Sequence, residues 1–114
     1  MFKAIIISVG ILFTLSASAS TQNEIAHLIE YVKTTDCTYE RNGDMHNGEE
    51  AVEHIQRKYD YFEDDIETAE DFIKYSATKS TFSGKEYKIH CPGVETVSSK
   101  SWLLDELEKY RSRK

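Results

Sequence analysis

The segment Cys37-Thr38-Tyr39-Glu40-Arg41-Asn42-Gly43 decides how this chain folds. Cys37, Tyr39 and Arg41 alternate with Thr38 and Glu40, the period of two that marks a strand with one buried face. Asn42-Gly43 ends the run, because both residues tolerate positive φ. A second alternating run, Tyr87-Lys88-Ile89-His90-Cys91, stops at Pro92-Gly93. With Cys37 opposite Cys91 in an antiparallel pair, Tyr39 faces Ile89 and Arg41 faces Tyr87, and all six side chains share one side of the ribbon. A two-stranded ribbon is marginal by itself, so helices must cover it.

Four helices are expected around it. The first spans about residues 22–35, with Thr21 and Glu24 at capping-box spacing and Ile25, Leu28, Ile29 and Val32 as its apolar stripe. The second spans about 47 or 48 to 60. Asn47 is its cap, Glu49 and Glu50 suit its positive start, and Ala51, Val52, Ile55 and Tyr59 face inward. Glu63-Asp64-Asp65 is a connection. Thr68 caps a third helix, with Asp71 three residues on and Phe72, Ile73 and Ala77 inside. Ser80 to Lys85 reads as a turn. Ser98 or Ser99 opens the last helix, which carries Trp102, Leu103, Leu107 and Tyr110. The fold class is α+β: a small, mostly helical domain, about four helices around a two-stranded antiparallel ribbon, stapled by one disulfide.

The N-terminus explains why the cysteines pair. Lys3, an apolar run at residues 4–15 and the small-x-small triplet Ala17-Ser18-Ala19 form a signal peptide, residues 1–19, cleaved near Ala19/Ser20. The apolar run is shorter than the ~20 residues a membrane span needs, so the cleaved chain has no span. Residues 20–114 then form a single exported domain. An oxidising compartment favours a Cys37–Cys91 bridge, with free thiols or an intermolecular bridge as the alternatives. Closing so long a loop is worth on the order of 4 kcal/mol.

The chain is acidic, with net charge −6, and the charge is uneven. Residues 40–71 hold 12 acidic and 3 basic side chains, whereas residues 72–114 hold 5 and 9. An acidic chain without a concentrated basic tract is a poor nucleic-acid binder.

Two polar clusters bear on function. In the first, Arg41-Asn42-Gly43-Asp44-Met45-His46 leads into Glu50, His54 and Lys58, which continue from His46 at a spacing of four, one face of a helix. It reads either as a stripe for ligand binding or proton transfer, or as a solvated face. His46 and His54 are eight residues apart, roughly 12 Å along a helix, too far for one ion. A metal shared by adjacent members would need a third ligand from elsewhere, such as His27 or His90. No metal and no cofactor are expected. The second cluster, Ser80-Thr81-Phe82-Ser83-Gly84-Lys85-Glu86-Tyr87, is either an anion cradle or a capped turn. No serine has a G-x-S-x-G context. Tyr59, Tyr61 and Phe62 read as core and interface residues rather than as a sugar-stacking platform.

Four ordered blocks carry a resemblance. They are Tyr39-Glu40-Arg41-Asn42-Gly43-Asp44-x-His46, Glu50-Ala51-x-x-His54-x-x-x-Lys58, Ile66-x-Thr68-Ala69-Glu70-x-Phe72-Ile73 and Ser83-Gly84-Lys85-x-Tyr87-x-Ile89. Over about residues 37–93 the chain resembles the YfeK-like family of small exported proteobacterial proteins, a domain of unknown function. The resemblance implies an envelope location, hence the periplasm, and a shared fold. It carries over no catalytic residue.

On the ribbon the Asn42 turn and the Ser83 turn lie at one end, so the two clusters converge. The expected site is Arg41, Asn42, Asp44, His46, Glu50 and His54 from the first cluster, with Ser80, Ser83, Lys85 and Tyr87 from the second. The leading expectation is a periplasmic binding or interaction module, not an enzyme, for an envelope protein or cell-wall fragment. One alternative is a small hydrolase with His46 or His54 as general base and Arg41 and Lys85 holding an anionic group. The other is a purely structural envelope protein.

Overall fold

The computed structural model describes residues 18–113. Of the expected signal peptide only Ser18 and Ala19 are among them; the rest lies outside the described residues. Helix α1 (Ala19–Lys33) begins earlier than expected, because Ser18 rather than Thr21 caps it. Ser18 Oγ accepts the Thr21 N–H at 3.1 Å. Glu24 does not serve a cap. It is buried and takes Nε and Nη2 of Arg111 on its two carboxylate oxygens at 2.8 and 2.9 Å. A bidentate charge-assisted pair is stronger than a capping bond to one N–H.

Strand β1 (Thr38–Arg41) turns at Asn42 and Gly43, whose φ values are 54° and 86°. Two residues in that region make the tight turn that suits the twist of a hairpin. The chain therefore doubles back as β2 (Asp44–His46), pairing Arg41 with Asp44 and Tyr39 with His46. Strand β3 (Lys88–His90) lies on the other side of β1, and β4 (Val97–Ser98) beyond it. The ribbon is thus a four-stranded antiparallel sheet of order β2-β1-β3-β4, not two strands. The register sets Tyr39 opposite Ile89, as expected. Arg41 and Tyr87 do not pair, because the ladder ends at Glu40 and Lys88. The Tyr87 N–H donates instead to Thr78 O and its carbonyl accepts from Ser99 N. The Cys37–Cys91 disulfide closes the opposite end of the β1–β3 ladder.

Helix α2 (Gly48–Tyr61) and helix α3 (Ala69–Ser76) both start with complete capping boxes, Asn47/Glu50 and Thr68/Asp71. A 3-10 turn at Glu63–Asp65 joins them. Ser98 caps α4 (Ser99–Ser112). Tyr39 and Ile89 point from the sheet into a core with Leu28 of α1, Ile55 of α2, Phe72 and Ile73 of α3, and Leu103 and Leu107 of α4. Burying each such side chain stabilises the fold by about 1.5–3 kcal/mol before entropy is counted. Tyr39 Oη and Ser99 Oγ, 2.6 Å apart and buried, lock the sheet to α4. Arg111 reaches from α4 to Glu24 on α1 and Glu70 on α3, so one guanidinium ties three helices. Its hydrogen bond holds the Glu70 carboxyl below the usual range.

Candidate functional site

Asn42, exposed in its left-handed turn, reaches across to the loop between α3 and β3. Ser83 Oγ donates to Asn42 Oδ1 at 2.6 Å, and Asn42 Nδ2 donates to Ser80 Oγ at 3.3 Å. Ser80 is buried, accepts the Ser83 N–H on its hydroxyl, and closes the loop through backbone bonds with Gly84 and Lys85. The two turns that the sequence brings to one end do meet. Asn42, Ser80 and Ser83 are spent on holding them together, which fixes the loop that carries Phe82.

Beside this junction α2 and the loop enclose a cleft of about 260 Å³. Its charged lining is Arg41 from the end of β1, with Arg57 and Lys58 from α2; no carboxylate lines it. Tyr87, buried at its floor, lies 2.8 Å by its hydroxyl from His54 Nε2 and receives Lys58 Nζ at 3.3 Å. Lys58 also donates to the carbonyl of Lys79 at 2.7 Å. Burial, with the Arg41 and Lys58 charges, pushes the His54 imidazolium down to about 4. His54 is therefore neutral at pH 7. Its Nε2 and the Tyr87 hydroxyl share one hydrogen bond in which either group can donate. Burial likewise raises the Tyr87 phenol and, with Arg41, lowers the Lys58 ammonium. The Tyr87 hydroxyl thus links the Lys58 ammonium to the neutral His54 ring. Neither Arg41 nor Arg57 has an ion-pair partner among the described residues.

A smaller cavity of about 10 Å³ lies behind the cleft and shares Arg41, His54 and Tyr87 with it. That volume suits about one water. His46 and Glu50 line it; His46 Nε2 is buried with no hydrogen-bond partner among the described residues, and its Nδ1 is 3.5 Å from Glu50. Glu50 chiefly completes the α2 capping box.

The remaining expected residues lie elsewhere. Asp44 is exposed on β2 and lines neither cavity. Lys85 faces a separate open groove with Glu40, Glu86 and Lys88. Tyr61 is not a core residue: it is 82% exposed at the cleft rim, its edge set against Phe62. Phe82 is fully exposed on the opposite lip. Arg57, Tyr61 and Phe82 were not expected in the site. The spacing His54-x-x-Arg57-Lys58-x-x-Tyr61 marks one helix face and holds the signal for the α2 members. Among the described residues no three His, Cys, Asp or Glu side chains converge as a metal site, and no helix is long and apolar enough to cross a membrane.

The His54 environment predicts an acid sensitivity. Its folded pKa of about 4 lies below the ordinary 6.5, so the unfolded chain takes up the proton first. The contribution is complete above about pH 6.5 and is lost as pH falls toward 4. Allowing for solvent screening of a half-exposed ring, it amounts to about 1–2 kcal/mol. Between pH 7 and pH 4.5 the wild type should lose that much more stability than His54→Gln, measured by urea unfolding.

A disulfide-stapled α+β domain with a carboxylate-free cationic cleft is the class that this fold and site define. The chain belongs to a family of unknown function, DUF5329, whose model matches residues 19–111. It is similar to the uncharacterized protein YfeK of Salmonella typhimurium (strain LT2), with 38% identity over 92 residues covering 76% of this chain and 77% of that protein. No solved structure matches it.

Proposed function

We propose that the protein is a periplasmic binding module whose cleft takes the anionic group of a ligand, carried on an envelope partner or a cell-wall fragment. One observation carries the reading. Arg41, Arg57 and Lys58 converge on a cleft with no acidic lining, in a chain of net charge −6. Like charges gathered in a partly desolvated cleft repel one another, and a bound anion turns that cost into attraction. The signal-peptide pattern at residues 1–19 and the disulfide support the periplasmic location. The acidic run Glu63-Asp64-Asp65, directly after the lining residue Phe62, disfavours a flat anionic membrane, which would meet those carboxylates.

The hydrolase alternative has less support. Lys85 lies outside the cleft, and a histidine held near pKa 4 is a weak base at neutral pH. The structural alternative suits Asn42, Ser80, Ser83 and Glu50, whose bonds pin turns and a helix start. It leaves the cations unexplained.

Titration with inorganic phosphate and with acetate, followed by side-chain NMR, should shift the Arg41 and His54 resonances. Arg41→Gln/Arg57→Gln should weaken both anions at least tenfold. Its melting temperature should stay level or rise, since two like charges leave without breaking an ion pair. Undiminished binding by the double variant would place the anion elsewhere.

A further inference from the structure

We infer that the ligand is an anionic sugar, its ring laid against Phe82 and Tyr61 and its charged group held by Arg41, Arg57 and Lys58. This rests on the anion reading and adds to it the body that bears the charge. Phe82 is 100% exposed and Tyr61 82%, the two most exposed aromatic rings among the described residues. They stand on opposite elements of the same cleft, the loop and the end of α2.

Neither is on a loose segment. The Phe82 loop is pinned by Ser80, Ser83 and Asn42, and the Tyr61 ring is braced by Phe62 with centroids 4.8 Å apart and planes at 88°. A loop already pinned loses little backbone entropy when it binds, which favours affinity. An aromatic face is negative and attracts the weakly positive C–H edges that a sugar ring presents.

The neutral part of the lining separates a sugar from other anions. The exposed Thr81 also lines the cleft and brings a hydroxyl to it, while the Asn42 amide is already engaged by Ser80 and Ser83. A ring hydroxyl would match the Thr81 hydroxyl, whereas a benzene ring or an acyl chain would strip it of water without replacing its hydrogen bonds. The cleft volume of about 260 Å³ is small for a binding pocket and suits one ring with one charged substituent.

The test compares bare anions, anionic sugars and an aromatic anion on the purified protein. Inorganic phosphate, acetate, glucose 1-phosphate, glucuronate and phenyl phosphate are titrated by NMR. At least one sugar probe should bind tenfold or more tightly than its bare anion and more tightly than phenyl phosphate. Phe82→Ala, at a fully exposed position, should erase that advantage and leave phosphate affinity unchanged; Tyr61→Ala should reduce it. Sugar and bare anions binding equally would overturn the sugar and keep the anion site. Phenyl phosphate binding tightest would do the same in favour of an aromatic ligand. A sugar advantage that survives both substitutions would remove the rings from the site. No perturbation by any of the five would refute the anion reading itself.

Discussion

Cys37→Ser/Cys91→Ser costs the protein about 4 kcal/mol, the larger of the two strongest effects expected. The bridge spans a sequence separation of 54 residues, and the loop-entropy relation for that length gives about 4 kcal/mol at 25 °C. In a domain of this size such a loss lowers the melting temperature by roughly 20 °C. The local structure offers little to replace it. β1 has four residues and β3 three, and their ladder holds three residue pairs. The bridged loop also contains every cleft residue, from Arg41 to Tyr87. Reduction should therefore loosen the cleft along with the fold. Urea unfolding of the wild type with and without dithiothreitol, beside the double variant, measures the effect. Reduced wild type and double variant should coincide and both should bind phosphate more weakly. A loss under about 1 kcal/mol would mean that helix packing alone fixes the strand pairing.

The parts legible in the sequence are those that local chemistry dictates. The Thr68/Asp71 pair and the Asn47 cap were readable because a side chain at a helix start either satisfies an N–H there or does not. Glu50 was legible only as an acid at the positive helix start. The Tyr39–Ile89 register followed from two cysteines and an alternation of two. The meeting of the Asn42 and Ser83 turns followed from that register. β2 and β4 escaped because three and two residues are too few to show a period, and β2 buries none of its side chains fully. Its only signal was Asn42-Gly43 itself, which asks for a returning strand as well as an ending one. Glu24 read as a cap because its true partner, Arg111, lies at the far end of the chain. The cleft was half legible: Arg41, His54 and Tyr87 were expected together, yet which residues of the loop face it depends on the backbone path. That path sets Phe82 on the cleft lip and Lys85 in another groove.

Gly48→Ala should destabilise the protein by about 2–3 kcal/mol, in the upper range for overpacking. Gly48 opens α2, where most residues are better helix formers. Its φ is not among the positive values of this chain, so conformational freedom is not the reason for glycine here. The reason is contact. A Cβ at Gly48 would lie 2.3 Å from Val32 O and 2.8 Å from Lys33 O. Those are backbone carbonyls at the end of α1 and cannot swing aside like a side-chain tip. The start of α2 must move away from α1, and the short β1–β2 hairpin between the two helices leaves little slack. Gly43→Ala is the informative contrast. Nothing lies within 4 Å of a Cβ there, and its cost comes from a φ of 86° alone, about 1 kcal/mol. Chemical denaturation should rank the two in that order. Because α2 also carries His54 and Lys58, its displacement should stretch the 2.8 Å His54–Tyr87 contact and shift the His54 ring resonances in Gly48→Ala. A Gly48→Ala protein within 0.5 kcal/mol of wild type, with an unmoved His54, would show that the two helix ends separate freely and that the cleft is not set by their approach.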